Sequence, residues 1–210
     1  MSIQEIAPSI SGSMLASSTR LEIKSNDLHD LLAGAIIATG TDSSMPTLTG
    51  IHIYGVDGVL VAESTERYRL IKGTLTPIRC DNFSALLLNK NAAEVIRALK
   101  PLAKRIEPRP VIVEIGEREI IFRLPEQSFT FRLLDGTFPP TEFIFNKEIA
   151  ATECMSFDPA LLATFAKVPS DRKKVPMTFT FHGSNQVATM SLFHETIKWE
   201  LAIMPMRSAI

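Results

Sequence analysis

A pattern of five elements, repeated three times, constrains the fold of this chain more than any other feature. Each copy reads as a short extended run, one amphipathic helical stretch, and three further extended runs bounded by turn residues. The copies cover residues 21–75, 84–134 and 151–204. A repeat of about 60 residues predicts blocks that bury their apolar faces against one another. We therefore predict an α+β fold built from three β-α-β-β-β modules.

Apolar residues at helical spacing locate the three helices. Their apolar faces are Leu28, Leu31, Leu32, Ala35 and Ile36; Ala92, Val95, Ile96 and Leu99; and Leu161, Leu162, Phe165 and Val168. Ser25, Asn89 and Asp158 precede these stretches and are predicted to cap the helices. The segment 151–157 is predicted to form the first strand of the third copy. Residues 1–19 lack periodicity, so we expect a flexible tail.

Composition favours an ordinary globular protein. Apolar residues make up 45% of the chain and charged residues 21%, a balance that can bury a core. No apolar run reaches the ~18 residues that a membrane span needs, and the N-terminus lacks the features of a secretory signal. Cys80 and Cys154 lie far apart and outside any CxxC pair. These features predict reduced thiols in a cytoplasmic protein.

Motifs of enzyme chemistry are absent from the sequence. The four histidines form no HExxH motif, and no glycine-rich phosphate loop or GxSxG elbow occurs. We expect no catalysis, no cofactor and no metal. His182 and His194 follow or end strands and are expected at the surface. Trp199, on the last strand, is expected in the core or at an interface.

Three short motifs, in the right order, resemble the bacterial β-type sliding clamp of DNA polymerase III. They are Thr65-Glu66-Arg67-Tyr68-Arg69-Leu70, the run from Phe129 to Pro139 that contains Asp135-Gly136-Thr137-Phe138, and Ile203-Met204-Pro205-Met206-Arg207. The resemblance implies that residues 20–147 form a complete clamp domain of two modules. Residues 148–210 would then be a third module, half of a composite domain. Arg67 and Tyr68 stand where the family has Gly-His, and Phe143 where it often has a basic residue.

The resemblance also implies a hydrophobic pocket for short linear motifs of a DNA polymerase and a clamp loader. Carried over by position, its lining would be Leu31, Thr65, Arg67, Tyr68, Arg69, Leu70, Pro139, Phe143, Ile144, Met204, Pro205 and Met206. Methionine suits such a pocket because its flexible thioether adapts to several partners. On the residues alone, Met204 and Met206 could equally be core residues at a strand end.

Basic residues would provide a sequence-independent contact with double-stranded DNA. Lys90, Arg97 and Lys104 recur every seven residues and should project along one stripe of the second helix, whose last turn we expect Pro101 to end or kink. The full predicted set is Lys90, Arg97, Lys100, Lys104, Arg105, Lys167, Arg172, Lys173 and Lys174. The first helix carries His29 and Asp30 and is not basic. The same charges also suit the solvated face of an ordinary amphipathic helix.

A clamp ring of twelve modules would need four chains of three modules each. Alternation of interface types predicts a homotetramer with modules ordered 1-2-3 and then 3-2-1, so that module 3 meets module 3 and module 1 meets module 1. The predicted function is a sliding clamp that encircles DNA and does no chemistry. The alternatives are a non-ring clamp mimic or inhibitor that binds replication proteins, and a small-molecule binder or enzyme on an α+β fold.

Overall fold

The computed structural model describes residues 19–104, 107–150, 154–170 and 175–206. The first repeat has the predicted order of elements. Its strands and helix are β1 (Thr19–Lys24), α1 (Ser25–Ala35), β2 (Gly50–Val56), β3 (Val59–Thr65) and β4 (Arg69–Leu75). Two 3-10 helices, Ile36–Ala38 and Pro46–Thr49, lie between α1 and β2. Asp57 and Gly58 have φ values of 51° and 78°, as a tight hairpin turn requires.

The second repeat follows the same order after a two-residue strand, β5 (Arg79–Cys80). Its elements are β6 (Phe83–Leu88), α2 (Asn89–Ala103), β7 (Pro110–Ile115), β8 (Glu119–Arg123) and β9 (Ser128–Arg132). A connection with one short helix, α3 (Glu142–Phe145), leads to the third repeat. The α+β fold class predicted from the sequence is therefore confirmed.

The third repeat departs from the prediction at its first strand. Its elements are α4 (Pro159–Thr164), a 3-10 helix (Phe165–Lys167), β10 (Met177–Thr180), β11 (Ala188–Phe193) and β12 (Lys198–Ile203). Part of the predicted first strand, residues 151–153, lies outside the described residues. The remainder is not a strand of either sheet, and Ser156 makes an isolated bridge with Met206.

The first strands of the first two repeats are exchanged between them. β1 pairs with β7 of the second repeat, and β6 pairs with β2 of the first, both antiparallel. The result is a five-stranded sheet, β5-β1-β7-β8-β9, and a seven-stranded sheet, β10-β11-β12-β4-β3-β2-β6. Helices α1 and α2 pack against each other. The first two repeats therefore form one interlocked unit with approximate internal two-fold symmetry.

The third repeat joins the first repeat and not the second. β12 pairs with β4 along six residues, with Leu201 opposite Ile71. The spatial order of the modules is therefore 2-1-3, and the order 1-2-3 predicted from the sequence is wrong. Chain order failed as a guide because the connection over 133–150 returns the chain to the far edge of the first repeat.

One hydrophobic core runs through all three repeats. Trp199 of β12 is fully buried, as the sequence allowed, and its indole lies against Gly34 of α1 and Gly73 of β4. A Cβ atom at either glycine would overlap the ring. Close approach of the indole explains why both positions lack side chains. The third repeat is thus packed into the helix layer of the first.

One of the three helix caps predicted from the sequence is present in the structure. Asp158 accepts a hydrogen bond from the backbone N–H of Ala160 at 2.8 Å, as predicted. Ser25 and Asn89 were expected to cap α1 and α2 but are the first residues of these helices, and neither helix has a side-chain cap. The extended strands that run directly into α1 and α2 fix these helix starts instead.

Candidate functional site

A row of cations lies on the exposed face of α2. Lys90, Arg97, Lys100 and Lys104 are all exposed, while Ala92, Val95 and Leu99 on the opposite face are fully buried. Helix α2 continues through Pro101 to Ala103, and Lys104 still has helical backbone angles. Of the two effects expected of Pro101, an end of the helix is therefore wrong, and Lys104 directly follows the helix.

Glu94 interrupts this cationic row. It is exposed and lies four residues after Lys90 and three before Arg97, so it shares their face of the helix. Sequence reasoning missed it because only basic residues were sought at seven-residue spacing. Its charge lowers the net positive charge of the row without removing it.

The other predicted DNA contacts are only partly described. Lys167 is exposed at the end of the 3-10 helix that follows α4. Arg105, Arg172, Lys173 and Lys174 lie outside the described residues.

Helix α1 carries an acidic site in place of cations. The Oδ1 atom of Asp30 lies 2.7 Å from Nδ1 of His29, and its Oδ2 atom lies 3.4 Å from Nε2 of His194. Burial raises the pKa of Asp30, but hydrogen bonds from His194 and His29 outweigh it and lower the pKa to about 2. His194 is 6% exposed, so its expected surface position is wrong. His182 is likewise buried, with its ring hydrogen-bonded to the carbonyl of Glu148 and to Thr189.

The three predicted parts of the peptide site meet where β4 begins and β12 ends. The backbone N–H of Met204 donates to the carbonyl oxygen of Tyr68 at 2.7 Å. Tyr68 is 56% exposed, Met204 44% and Met206 55%. Three large apolar side chains therefore reach solvent at one end of the seven-stranded sheet, which is typical of a site that binds another molecule.

The turn before β4 is held by Thr65. Its hydroxyl donates to the carbonyl of Arg69 at 2.7 Å and accepts from the backbone N–H of Arg67 at 3.1 Å. Arg67 has a φ of 87°, in the left-handed region that favours glycine. This residue stands where the resembling family has glycine, so the turn carries a side chain that its backbone conformation disfavours. The Arg67 guanidinium lies 5.9 Å from the centre of the Tyr68 ring.

Arg69 connects this turn to the third repeat. Its guanidinium forms an ion pair with Glu66 at 2.8 Å and donates to the Thr164 hydroxyl of α4. Burial raises the pKa of Glu66, and this effect exceeds the lowering by Arg69. The Arg69 side chain is only 11% exposed, so it connects the turn to α4 from the buried side of this surface.

A cleft of about 310 Å³ lies beside the exposed Tyr68. Its lining is Thr39, Gly40, Thr41, Asp42, Met45, Leu48, Glu66, Arg67, Tyr68 and Arg69. Only the last three belong to the predicted set. The segment over residues 39–48 was missed because it forms an irregular connection, with no periodicity to indicate that it folds back onto the turn at Arg67.

The remaining predicted residues divide into buried and exposed ones. Leu31 is fully buried and points at Gly73, so the structure does not place it on this surface. Leu70 is buried in a small cluster with Val187 and Ala202, on which Ile144 and Phe145 pack. Pro139, Phe143 and Met206 are exposed, Ile144 and Pro205 are half-buried. Sequence reasoning missed the contribution of Val187 and Ala202.

The Asp-Gly-x-Phe-Pro run fixes the connection that carries α3. The Phe138 ring stacks on His52 at 5.0 Å between centroids, and the Thr141 hydroxyl donates to Oε2 of Glu63 at 2.6 Å. The other carboxylate oxygen of Glu63 lies 2.9 Å from Nδ1 of His52. These buried polar contacts anchor the connection to the outer face of β2 and β3, and so position Phe143 and Ile144.

In the described ranges, no group of three or more His, Cys, Asp or Glu side chains is arranged to hold a metal ion. No helix among those residues is long and apolar enough to cross a membrane.

Comparison with protein families identifies the chain. The model of the DNA polymerase III beta subunit, central domain, matches residues 22–140, which is more than half of the sequence. The chain belongs to the DNA polymerase III beta subunit family. The family predicted from the three motifs is thus confirmed, while comparison with curated protein sequences finds no significant match.

Solved structures of beta subunits share the fold. The sliding clamp of Pseudomonas aeruginosa bound to griselimycin superposes with a TM-score of 0.75 at 16% identity, over 96% of this chain and 68% of that chain. The beta subunit of Thermotoga maritima gives 0.74 at 16% identity, over 98% and 68%. The Bacillus subtilis clamp gives 0.73 at 15% identity, over 96% and 67%. The clamp fold is therefore present, in a chain that spans about two thirds of these relatives.

Proposed function

We propose that this protein is a DNA sliding clamp that encircles duplex DNA and holds replication proteins on it. Membership of the beta subunit family is the observation that carries the proposal. The cationic row on α2 supports it, because a clamp needs attraction to phosphates without base recognition. The function is positional and requires no catalytic residue. We further propose a cytoplasmic location, which agrees with the free thiols of Cys80 and Cys154.

A closed ring requires several copies of a three-module chain. Within the chain, the strand-exchanged contact of modules 2 and 1 alternates with the β4–β12 contact of modules 1 and 3. Four chains in the order 2-1-3, 3-1-2, 2-1-3, 3-1-2 continue this alternation around a ring of twelve modules. We therefore propose a homotetramer with dihedral symmetry, in which the predicted contacts between copies of module 1 are replaced by contacts between copies of module 2.

The edge strand β9 is the proposed contact between copies of module 2. It corresponds to β4, which pairs with β12, and in the described parts of the chain its one ladder partner is β8. An unpaired edge that ends a sheet is available to a second strand. Pairing of two β9 strands around Thr130 would repeat the β4–β12 geometry between chains.

The exposed surface at Tyr68 and Met204 is the proposed docking site for replication proteins. Tyr68 lines the cleft and Leu70 belongs to the small buried cluster, an arrangement that suits an extended peptide with one or two apolar anchors. A DNA polymerase and a clamp loader would share it in turn. Arg67 and Phe143 make this surface different in charge from the family pattern and would tune the choice of peptide.

Retention on circular DNA tests the proposed function. The protein, loaded on nicked circular DNA, should stay bound through gel filtration and dissociate when the circle is cut to linear form. Arg97→Ala/Lys104→Ala should lower retention about tenfold and flatten its salt dependence, because each lost phosphate contact reduces the counterions released.

A charge-matched control removes two cations from the outer faces of the sheets. Arg123→Ala/Lys198→Ala changes net charge equally but should retain DNA as the unmodified protein does. Equal loss in both double variants would mean that α2 does not face the DNA. A monomer that binds clamp-binding peptides but is not retained on circles would instead identify a non-ring mimic.

A further inference from the structure

The third repeat lacks the exchanged strand that completes the first two. Strand β2 is covered by β6, and β7 is covered by β1. The corresponding strand of the third repeat is β10, and among the described residues its ladder partner is β11 alone. The edge that β6 or β1 would occupy is therefore open along Met177–Thr180, whereas just past β10 the N–H of Ala150 donates to the carbonyl of Phe181 at 3.0 Å and Ala150 bridges His182.

Residues 154–157 are held where the strand to be exchanged would lie. In the second repeat, the backbone N–H of Leu134 donates to the carbonyl of Leu86 in β6 at 2.9 Å. In the third repeat, the N–H of Met206 donates to the carbonyl of Ser156 at 2.8 Å. The segment thus keeps the contact of β6 with the end of the last strand of its own repeat, without the ladder that β6 makes with β2.

Apolar side chains of the third repeat are exposed where their counterparts are buried. Ile51 and Ile53 of β2, and Val111 and Val113 of β7, are at most 3% exposed. In β10, Phe179 is 38% exposed and Met177 is half-buried. These exposed apolar side chains lie on β10, the strand whose edge lacks an exchanged partner.

Helix α4 also has apolar side chains that are less buried than those of α1 and α2. Helices α1 and α2 pack on each other, and Leu28 of α1 and Ala92 of α2 are both buried. Leu161 and Leu162 of α4 are only half-buried, and no residue of this short helix itself is buried. A helix packed alongside α4 would cover both leucines.

We propose that a second copy of this chain completes the third repeat by reciprocal strand exchange, with residues 154–157 of each copy pairing antiparallel with β10 of the other. The two α4 helices would then pack together, as α1 and α2 do. The proposal specifies the contact between copies of module 3 in the proposed ring. The inference depends on the proposed clamp function only for the position of this contact in the ring, because the contact itself needs no DNA.

A second copy fits this surface better than an unrelated protein does. The contact between the first two repeats is two-fold, so each repeat both gives a strand and receives one. The third repeat has both the open edge of β10 and the strand segment 154–157, so in two copies related by a two-fold axis each segment would cover the partner's β10.

The apolar pattern fixes the register of the exchanged strands. Leu87 and Ala85 precede α2 by two and four residues and lie opposite Ile51 and Ile53. Phe157 and Met155 precede α4 by the same intervals, and both pack toward the core. They should therefore lie opposite Met177 and Phe179 of the partner copy.

This register places Cys154 opposite Thr180 of the partner copy. Residues facing each other across an antiparallel ladder have Cα atoms about 4.5–5.5 Å apart, within the reach of a disulfide. Thr180→Cys, oxidised in dilute solution, should therefore give a covalent two-chain species on a non-reducing denaturing gel. Thr180→Cys combined with Cys154→Ala should not. A disulfide that forms within single chains, or none at all, would overturn the proposal.

A second variant removes the contact without a new bond. Phe179→Asp should halve the assembly mass measured by light scattering, because a charge would be buried in the exchanged ladder. Phe143→Asp alters a side chain that is 60% exposed and should leave the mass unchanged. Full mass with Phe179→Asp would contradict the exchange. Cross-linking without retention on circular DNA would reject the clamp function alone, and retention without cross-linking would reject this interface alone.

Discussion

Trp199 of β12 lies against the bare backbone of Gly34 in α1, so the last strand of the third repeat fills the core of the first. This contact joins residues that are far apart in the chain. It fixes how closely α1 approaches the seven-stranded sheet, and through α1 and α2 it fixes the distance of the cationic row from the sheet layer.

Gly34→Ala should destabilise the protein by about 1–3 kcal/mol, because the added methyl group would overlap the indole of Trp199. Thermal or urea denaturation measures the change. Gly116→Ala is the matched control, since the nearest atoms to its Cβ belong to Glu119 at 3.6 Å, an ordinary contact. An equal loss in both variants would show that the indole does not lie where we describe it.

Arg67→Gly should stabilise the protein by about 1 kcal/mol, because it relieves a left-handed backbone conformation that costs an arginine roughly that amount. Arg118→Gly, at an exposed turn without positive φ, should be neutral or slightly destabilising. Urea denaturation compares the two. A destabilised Arg67→Gly variant would mean that the cation–aromatic contact with Tyr68 contributes more stability than the left-handed backbone conformation costs.

Asp30 should make the protein sensitive to acid between about pH 4 and pH 2. The folded carboxyl binds its proton only near pH 2, whereas the unfolded one does so near its ordinary pKa of 3.8, so acid favours the unfolded chain across this range. The carboxylate contributes up to about 2 kcal/mol above that range. Asp30→Asn should show a shallower decline of the unfolding free energy as pH falls.

A control for this titration is Asp135→Asn, whose side chain is 88% exposed. Its stability should fall in parallel with that of the unmodified protein. If Asp30→Asn also fell in parallel, the contacts with His29 and His194 would not lower the pKa of Asp30.

Tyr68→Ala and Met204→Ala should each weaken the binding of short apolar peptides from a cognate polymerase by about tenfold, because both side chains lie exposed at the proposed docking site. Fluorescence anisotropy with a labelled peptide provides the measurement. Ile149→Ala removes an 81% exposed apolar side chain elsewhere and should bind normally. Unchanged affinity in the first two variants would place the docking site elsewhere.

The sequence predicted the helices and most strands because apolar periodicity reflects which face each element buries. Leu28, Leu32, Val95 and Leu99 are all buried, as their spacing indicated. Pairing between strands could not be predicted in this way, because nothing in the local pattern of β1 indicates that it pairs with β7 and not with β2. The spatial order of the modules depends on those long-range pairings, and so the sequence-based order was wrong.

The candidate site was predictable only where motifs marked it. Tyr68 and Met204 stand in recognisable runs, and the structure brings them together. Met45 and Val187 carry no local signal, because one lies in an irregular connection and the other precedes a strand. His182 and His194 were misplaced because polar residues near strand ends are usually solvated, whereas here hydrogen bonds compensate their burial.

The exchange of β1 and β6 means that neither of the first two repeats is a self-sufficient folding unit. A chain cut in the short link between β4 and β6 would give one fragment with bare edges at β2 and β4 and another with bare edges at β7 and β12, each carrying the strands that cover the other's edges. Such fragments should be poorly folded when expressed separately and should recover structure on mixing, which would make this domain a natural scaffold for split-protein complementation.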